Sequence, residues 1–329
     1  MSASDRVAAS HILDRVLVLE MVRVTEAAAI AAAKLIGRGD EKAADAAAVE
    51  AMRTALNELP MDGRVVIGEG ERDEAPMLYI GEEVGSAKGS GPKIDIALDP
   101  LEGTTITATG GPNSLAVLAI ADQGCLLNAP DTYMEKIAVG PGYPDGIIDI
   151  QRSPSDNVRA LATAKGVDPS EITVLVLDRE RHAAMIAELR ALGCAVRLIP
   201  DGDVAGVIAV ADPDSGIDIY MGTGGAPEGV LAAAALRCVG GRMQGKLVFR
   251  NDDEIARARR WGIDDLDRVY RLDDMAKGDC IFAATGVTDG SLLEGVHRRG
   301  SRTTTESIVM RASTGTVRRV KTEHHGSAA

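Results

Sequence analysis

Ile94-Asp95-Ile96-Ala97-Leu98-Asp99-Pro100-Leu101-Glu102-Gly103-Thr104-Thr105 opens as a strand and ends as a site. Ile94 to Leu98 is a short, largely apolar run of strand length, and Pro100 closes it. Asp99 thus emerges at the end of a buried strand, where an unpaired carboxylate costs several kcal/mol. Pro100 fixes the direction of the chain, so Glu102 can turn back beside Asp99 and offer a second hard oxygen to one cation. Gly103 permits close approach of the backbone, and the Gly103-Thr104-Thr105 amides can cradle a phosphate as a helix N-terminus or nest does. An ordinary turn after a strand would need none of these residues in particular.

Working outward, Val65 to Ile67 is a second short strand, stopped by Gly68, and Leu115 to Ala121 and Tyr133 to Val139 read as two more. Ahead of them, His11 to about Leu35 carries Leu13, Val16, Leu17, Leu19, Met21 and Val24 at helical spacing. Gly37-Arg38-Gly39-Asp40 breaks that helix, and Asp45 to Leu59 resumes one that Pro60 ends. The second half alternates: strand Val174–Leu177, helix Arg181–Leu192, strand Ala195–Ile199, strand-like runs Val207–Val210 and Ile217–Tyr220, then helix Pro227–Cys238. This order predicts an α/β layered domain with parallel strands. The polar, Pro-containing segment Ile150–Pro154 is the expected boundary, giving an N-terminal α+β subdomain over 1–152 and a C-terminal α/β subdomain over 153–329. The end of the chain, with His324 and His325, is expected to fray as a disordered tail.

Composition excludes whole classes of partner. The 329 residues carry a net charge of −13, with 45% hydrophobic and only 2% aromatic residues. Nucleic acid would be repelled by that field and would find little to stack on. A phosphorylated metabolite is also an anion, so an acidic protein needs bound cations to receive it. Cys125, Cys194, Cys238 and Cys280 are widely spaced and form no C-x-x-C pair, which fits reduced, buried thiols. The opening MSASDRVAAS lacks an apolar core of a signal peptide, and Ala27–Ile36 is interrupted by Lys34. The expectation is a cytoplasmic protein with no membrane span.

A second acidic segment, Ile67-Gly68-Glu69-Gly70-Glu71-Arg72-Asp73-Glu74, places four carboxylates in six positions directly after a strand. They repel unless a cation sits among them. With no clustered His or Cys, the ligand chemistry suits Mg²⁺ or Mn²⁺ rather than zinc. Glu228, in Gly224-Gly225-Ala226-Pro227-Glu228-Gly229, opens a helix, where the dipole alone would favour it. Arg179 and Arg181 begin a helix against that dipole, which favours an anion-binding role.

Asp99-Pro100-Leu101-Glu102-Gly103-Thr104 resembles the signature of the lithium-sensitive, metal-dependent phosphatases of small phosphorylated metabolites. Gly37–Asp40, Ile67–Ile80 (IGEGERDEAPMLYI), Asp99–Thr105, Asn128–Lys136 (NAPDTYMEK), Ile199–Ala205 (IPDGDVA) and Gly224–Gly229 (GGAPEG) together resemble the class II fructose-1,6-bisphosphatases, in order, from about Met21 to Lys321. The resemblance implies a layered α-β-α-β-α sandwich of the fructose-bisphosphatase/inositol-monophosphatase type, and hydrolysis of the 1-phosphate of fructose 1,6-bisphosphate. It implies Asp45, Glu69, Asp99, Glu102 and Glu228 as ligands of Mg²⁺ or Mn²⁺. The nucleophile it implies is a water activated by the cations, oriented by Thr104 paired with Asp73, which accepts its proton; Glu71 and Glu74 are alternative occupants of the base role. Glu102, Gly103, Thr104, Tyr133, Arg179, Arg181, Asp201, Gly202, Asp203 and Gly225 match substrate-binding positions, and a homo-oligomer is implied. The pattern departs at Glu41, where the family usually has lysine, and at Arg179-Glu180-Arg181, where it often reads Lys-Pro-Arg. Sedoheptulose 1,7-bisphosphate, inositol phosphates and a phosphoadenylate are alternative substrates, and a non-catalytic sugar-phosphate sensor is the reading from another class.

Overall fold

The fold is that of a computed structural model, which describes residues 17–70 and 77–325. Helix α1 (Leu17–Ala33) follows the first helical pattern from residue 17 on, its earlier part from His11, with Leu13 and Val16, lying outside the described residues, and α2 (Glu41–Asn57) follows the second. The Gly37–Asp40 break between them is a helix start. Asp40 caps α2 by accepting from the Ala43 N–H at 3.0 Å.

Two sheets follow, each with its own helices. The first joins β1 (Asp62–Ile67), β2 (Glu83–Val84), β3 (Lys93–Glu102), β4 (Leu115–Asp122), β11 (Cys280–Gly286), β12 (His297–Arg299), β13 (Arg302–Arg311) and β14 (Thr316–His325). Their order is β12-β13-β11-β4-β3-β1-β2, with β14 on β13. Only β1 and β3 run parallel. Strand alternation sends Ile94, Ile96 and Leu98 of β3, and Ala116, Leu118 and Ile120 of β4, into one core with Met21, Val24, Ala28 and Met52 of the two helices.

The second sheet runs β10 (Val269–Arg271), β9 (Arg242–Val248), β5 (Tyr133–Val139), β8 (Ile219–Gly225), β6 (Thr173–Leu177), β7 (Ala195–Ile199). Val174, Val176, Ile219 and Met221 pack with Val158 and Leu161 of α4 (Pro154–Lys165) and with Ile186 and Leu189 of α5 (Ala183–Ala191). The opposite face meets α6 (Asp203–Ala209), where Gly206 lies against Leu175 and Tyr220. Next in the chain is α7 (Ala226–Val239), then α8 (Asp252–Arg260).

The α/β class is borne out, with three corrections and one shifted boundary. Val207–Val210 is not a strand but falls on and just after α6. A four-residue apolar run does not distinguish a buried helix from a strand, and here the helix is apolar on every side. The second sheet is mixed rather than parallel, since β5 pairs antiparallel with both β8 and β9. His324 and His325 do not fray: they end β14, opposite Thr303 and Arg302. The chain divides not at 152/153 but after Leu126 and again after Lys277, so that residues from Gly278 onward belong with the first unit. The strand pairings decide this. Tyr133–Val139 is laddered residue for residue between β8 and β9, and β11 returns to pair with β4.

Candidate active site

In the first unit the β3 turn is built around a bulge. β3 pairs with β4 through Asp99 opposite Val117, loses register, and resumes at Glu102 opposite Leu115. Pro100 has no N–H to give the ladder, so the interruption falls there. The carboxylate of Asp99 accepts from the Leu101 N–H at 3.0 Å, which holds the turn closed. Glu102 is buried, and its backbone carbonyl accepts from the Ser114 hydroxyl at 2.9 Å; Ser114 in turn pairs with Thr107 at 2.7 Å. Gly103, at φ 83°, takes the left-handed conformation that turns the chain from strand into α3 (Thr104–Thr109) within one residue. Thr104 is therefore the first residue of a helix, immediately beyond the two acids. The break at Gly37–Asp40 is tied to the same helix, Gly37 and Gly39 donating to the Thr107 and Ala108 carbonyls at 2.9 Å each.

Asp45, in the second turn of α2, and Glu69, just after β1, are both half-buried. Burial lifts the Asp45 carboxyl above its usual range. Burial, and then the charge of Asp45, pushes Glu69 up to about 8. Two buried acids, one of them raised further by the charge of the other, are what a hard divalent cation would relieve, so these side chains fit a metal role. Asp45 and Glu69 are electrostatically coupled, while Asp99 and Glu102 flank the bulge of β3. Among the described residues no group of three or more such side chains stands preformed as a metal cage. Glu71, Asp73 and Glu74 lie outside the described residues.

The second unit carries Glu228 and the remaining candidate substrate positions. Glu228 is the third residue of α7, and its Oε2 is buried without a hydrogen-bond partner. Burial pushes it up to about 7, Asp203 adds to the rise, and Lys136 works against it. Asp203 opens α6 after Gly202 and is ion-paired with Lys136, itself fully buried and donating also to the Gly225 carbonyl at 2.8 Å. Arg179 donates to the Asp178 and Pro200 carbonyls and stands 3.6 Å from Asp201. Arg181 gives Nε and Nη2 to the Thr223 carbonyl at 3.0 and 2.7 Å. The two arginines are thus anchored on loop and strand carbonyls, which offsets their poor position at a helix start.

Three residues of this unit were missed in the sequence. Lys136 had a signal, a lone cation inside the apolar strand Tyr133–Val139. His182 is buried between strands: its Nδ1 meets the Leu177 carbonyl at 2.7 Å and its Nε2 accepts from the Thr223 N–H at 2.8 Å. That pattern requires the neutral ring, and burial indeed lowers its pKa. Arg250 lies 4.6 Å from the centre of the Tyr133 ring, with Arg181 at 4.8 Å. No sequence spacing links positions 133, 181 and 250.

The family model described as bacterial fructose-1,6-bisphosphatase, glpX-encoded, matches residues 15–324. The chain belongs to that family. It is 51% identical over 325 residues to fructose-1,6-bisphosphatase 1 class 2 of Escherichia coli K12, covering 94% of this chain and 96% of that one. The class 2 enzyme of Shigella flexneri matches with the same identity and coverage. A solved inositol monophosphatase from Anabaena aligns at 14% identity and a TM-score of 0.31, over 59% of this chain and 71% of the other, a likeness too slight to bear on the fold. The resemblance read from six motifs of this bisphosphatase-family chain is borne out over nearly its whole length.

Proposed function

We propose that this chain is a divalent-metal-dependent phosphatase that hydrolyses the 1-phosphate of D-fructose 1,6-bisphosphate, releasing fructose 6-phosphate and inorganic phosphate. The observation that carries the reading is the 51% identity, over 94% of the chain, to an enzyme named for that substrate. The local geometry of each unit agrees with it: paired, half-buried carboxylates in one, and arginines with buried acids in the other.

Asp45, Glu69, Asp99, Glu102 and Glu228 are the residues that would hold Mg²⁺ or Mn²⁺. A cation held there would supply Lewis-acid stabilisation of phosphoryl oxygens and would acidify the attacking water. Thr104, at the start of α3, orients that water through its hydroxyl and passes its proton toward Asp73. Gly103 and the α3 backbone receive the phosphoryl group alongside Glu102 and Thr104. Tyr133, Arg179 and Arg181 bind the phosphate that stays behind, and Asp201, Gly202, Asp203 and Gly225 meet the sugar hydroxyls. A cytoplasmic setting is part of this reading; among the described residues no helix is long and apolar enough to cross a membrane. A homo-oligomer follows from the family alone.

Phosphate release from fructose 1,6-bisphosphate, with Mg²⁺, with Mn²⁺ and with excess chelator, tests the reading. Turnover that chelation abolishes and either cation restores is the expected result. Absence of release under every condition overturns it.

A further inference from the structure

Tyr133 sits beneath two guanidinium groups, those of Arg181 and Arg250 at 4.8 and 4.6 Å from its ring centre. Each contact is favourable at an exposed site, yet two cations on one ring repel. Arg181 is anchored on a neutral carbonyl, which leaves its charge uncompensated. Arg250 is held differently. Its Nε and Nη2 lie 2.6 and 2.5 Å from Glu254 Oε1, and its backbone N–H donates to Oε2 at 2.7 Å. Glu254 is itself buried, and the hydroxyl of Thr132, next to Tyr133, donates to its Oε2 at 2.9 Å. An exposed arginine clasped by a buried acid and laid on an aromatic ring has lost the freedom of a surface side chain. Both arginines are exposed, and Nη1 of each makes no hydrogen bond among the described residues.

We propose that Arg250, oriented by Glu254, is the second arginine of the subsite for the phosphate that is not cleaved, acting with Arg181 across Tyr133. The proposal rests on the phosphatase reading above. Asp131 is within electrostatic reach of Arg250, so selectivity for a phosphate comes from two preorganised forks rather than from net charge.

The test uses the full chain loaded with Mn²⁺, with Arg250→Gln and Arg250→Lys. For Arg250→Gln, KM for fructose 1,6-bisphosphate and the inhibition constant of fructose 6-phosphate should both rise about tenfold to a hundredfold, with kcat falling less than about threefold. Arg250→Lys keeps the charge but loses the fork, so it should recover only part of that loss. The melting temperature of both variants should stay near wild type. Constants within a factor of about two of wild type, or a fall in kcat with KM unmoved, overturn the proposal. A loss that tracks melting temperature, and that Lys does not relieve, makes Arg250 a structural residue and overturns it as well. A wild-type protein that releases no phosphate sinks the underlying reading, a result separate from variants that behave as wild type.

Discussion

At the scale of single residues, the Asp45–Glu69 pair makes the clearest physical statement. Glu69 is lifted from 4.5 to about 8 by burial and then by Asp45. Between those values the folded chain holds a proton that the unfolded chain has released, so stability falls as pH rises through that window. Cation binding works in the opposite direction, because the acids must be ionised to serve as ligands. The melting temperature of the metal-free protein should therefore drop from pH 5 to pH 8, and Mn²⁺ should raise it more at pH 8 than at pH 5. Glu69→Gln should flatten the first trend and weaken the second; an unchanged pH slope in that variant would remove Glu69 from the titrating pair. Asp99 and Glu102 stand out in the sequence as candidate ligands because a strand ending in Asp-Pro-Leu-Glu-Gly-Thr has few other uses. Asp45 was not legible without the family resemblance. On its own helix it is one more surface acid, and only the loop after β1 brings Glu69 to it.

At the scale of elements, the junction of β8 and α7 shows how tightly strand and helix are fitted to the site. A Cβ at Gly225 would lie 1.9 Å from Glu228 Oε2. Gly225→Ala must move either the carboxylate or the helix start, and if Glu228 is a metal ligand as proposed, a shift of about 1 Å can cost roughly a hundredfold in rate. Steady-state kinetics and a Mn²⁺ titration would check it: kcat should fall and the metal requirement should rise together, whereas a kcat within about threefold would show that Glu228 is free to move. Elements with strong periodicity or a sharp stop were readable in advance. Tyr133–Val139 and Ala195–Ile199 match the structure end to end. Val207–Val210 was misread because α6 is short and buried all round, which erases the helical period. Lys136 illustrates a subtler limit. Its place in the middle of a strand was visible, but its partners Asp203 and Gly225 come from 67 and 89 residues away.

At the scale of the whole molecule, the C-terminal strand is part of the frame rather than a tail. β14 pairs with β13 over ten residues. Near its end, His324 bonds the Thr305 hydroxyl at 3.0 Å, and Thr305 donates to the buried Glu26 of α1 at 2.9 Å. Ending the chain at Gly315 would bare the whole edge of β13, so calorimetry should show a melting temperature lower by about 5 °C or more, with aggregation on heating. Ending it after His325 should leave the transition in place; equal stability of the two truncations would refute the role given to β14. The composition and local order of residues determined by themselves that this is an acidic α/β protein, with carboxylates suited to a hard cation set at the end of a strand. Those properties depend on neighbours along the chain, which a sequence displays directly. Only the tertiary structure decided that residues from Gly278 onward return to the first sheet, that the second sheet is mixed, and that Tyr133, Arg181 and Arg250 converge. Strand pairing and side-chain convergence depend on distance in space, and hydrogen-bond ladders between remote strands leave no periodic mark on the residues that form them.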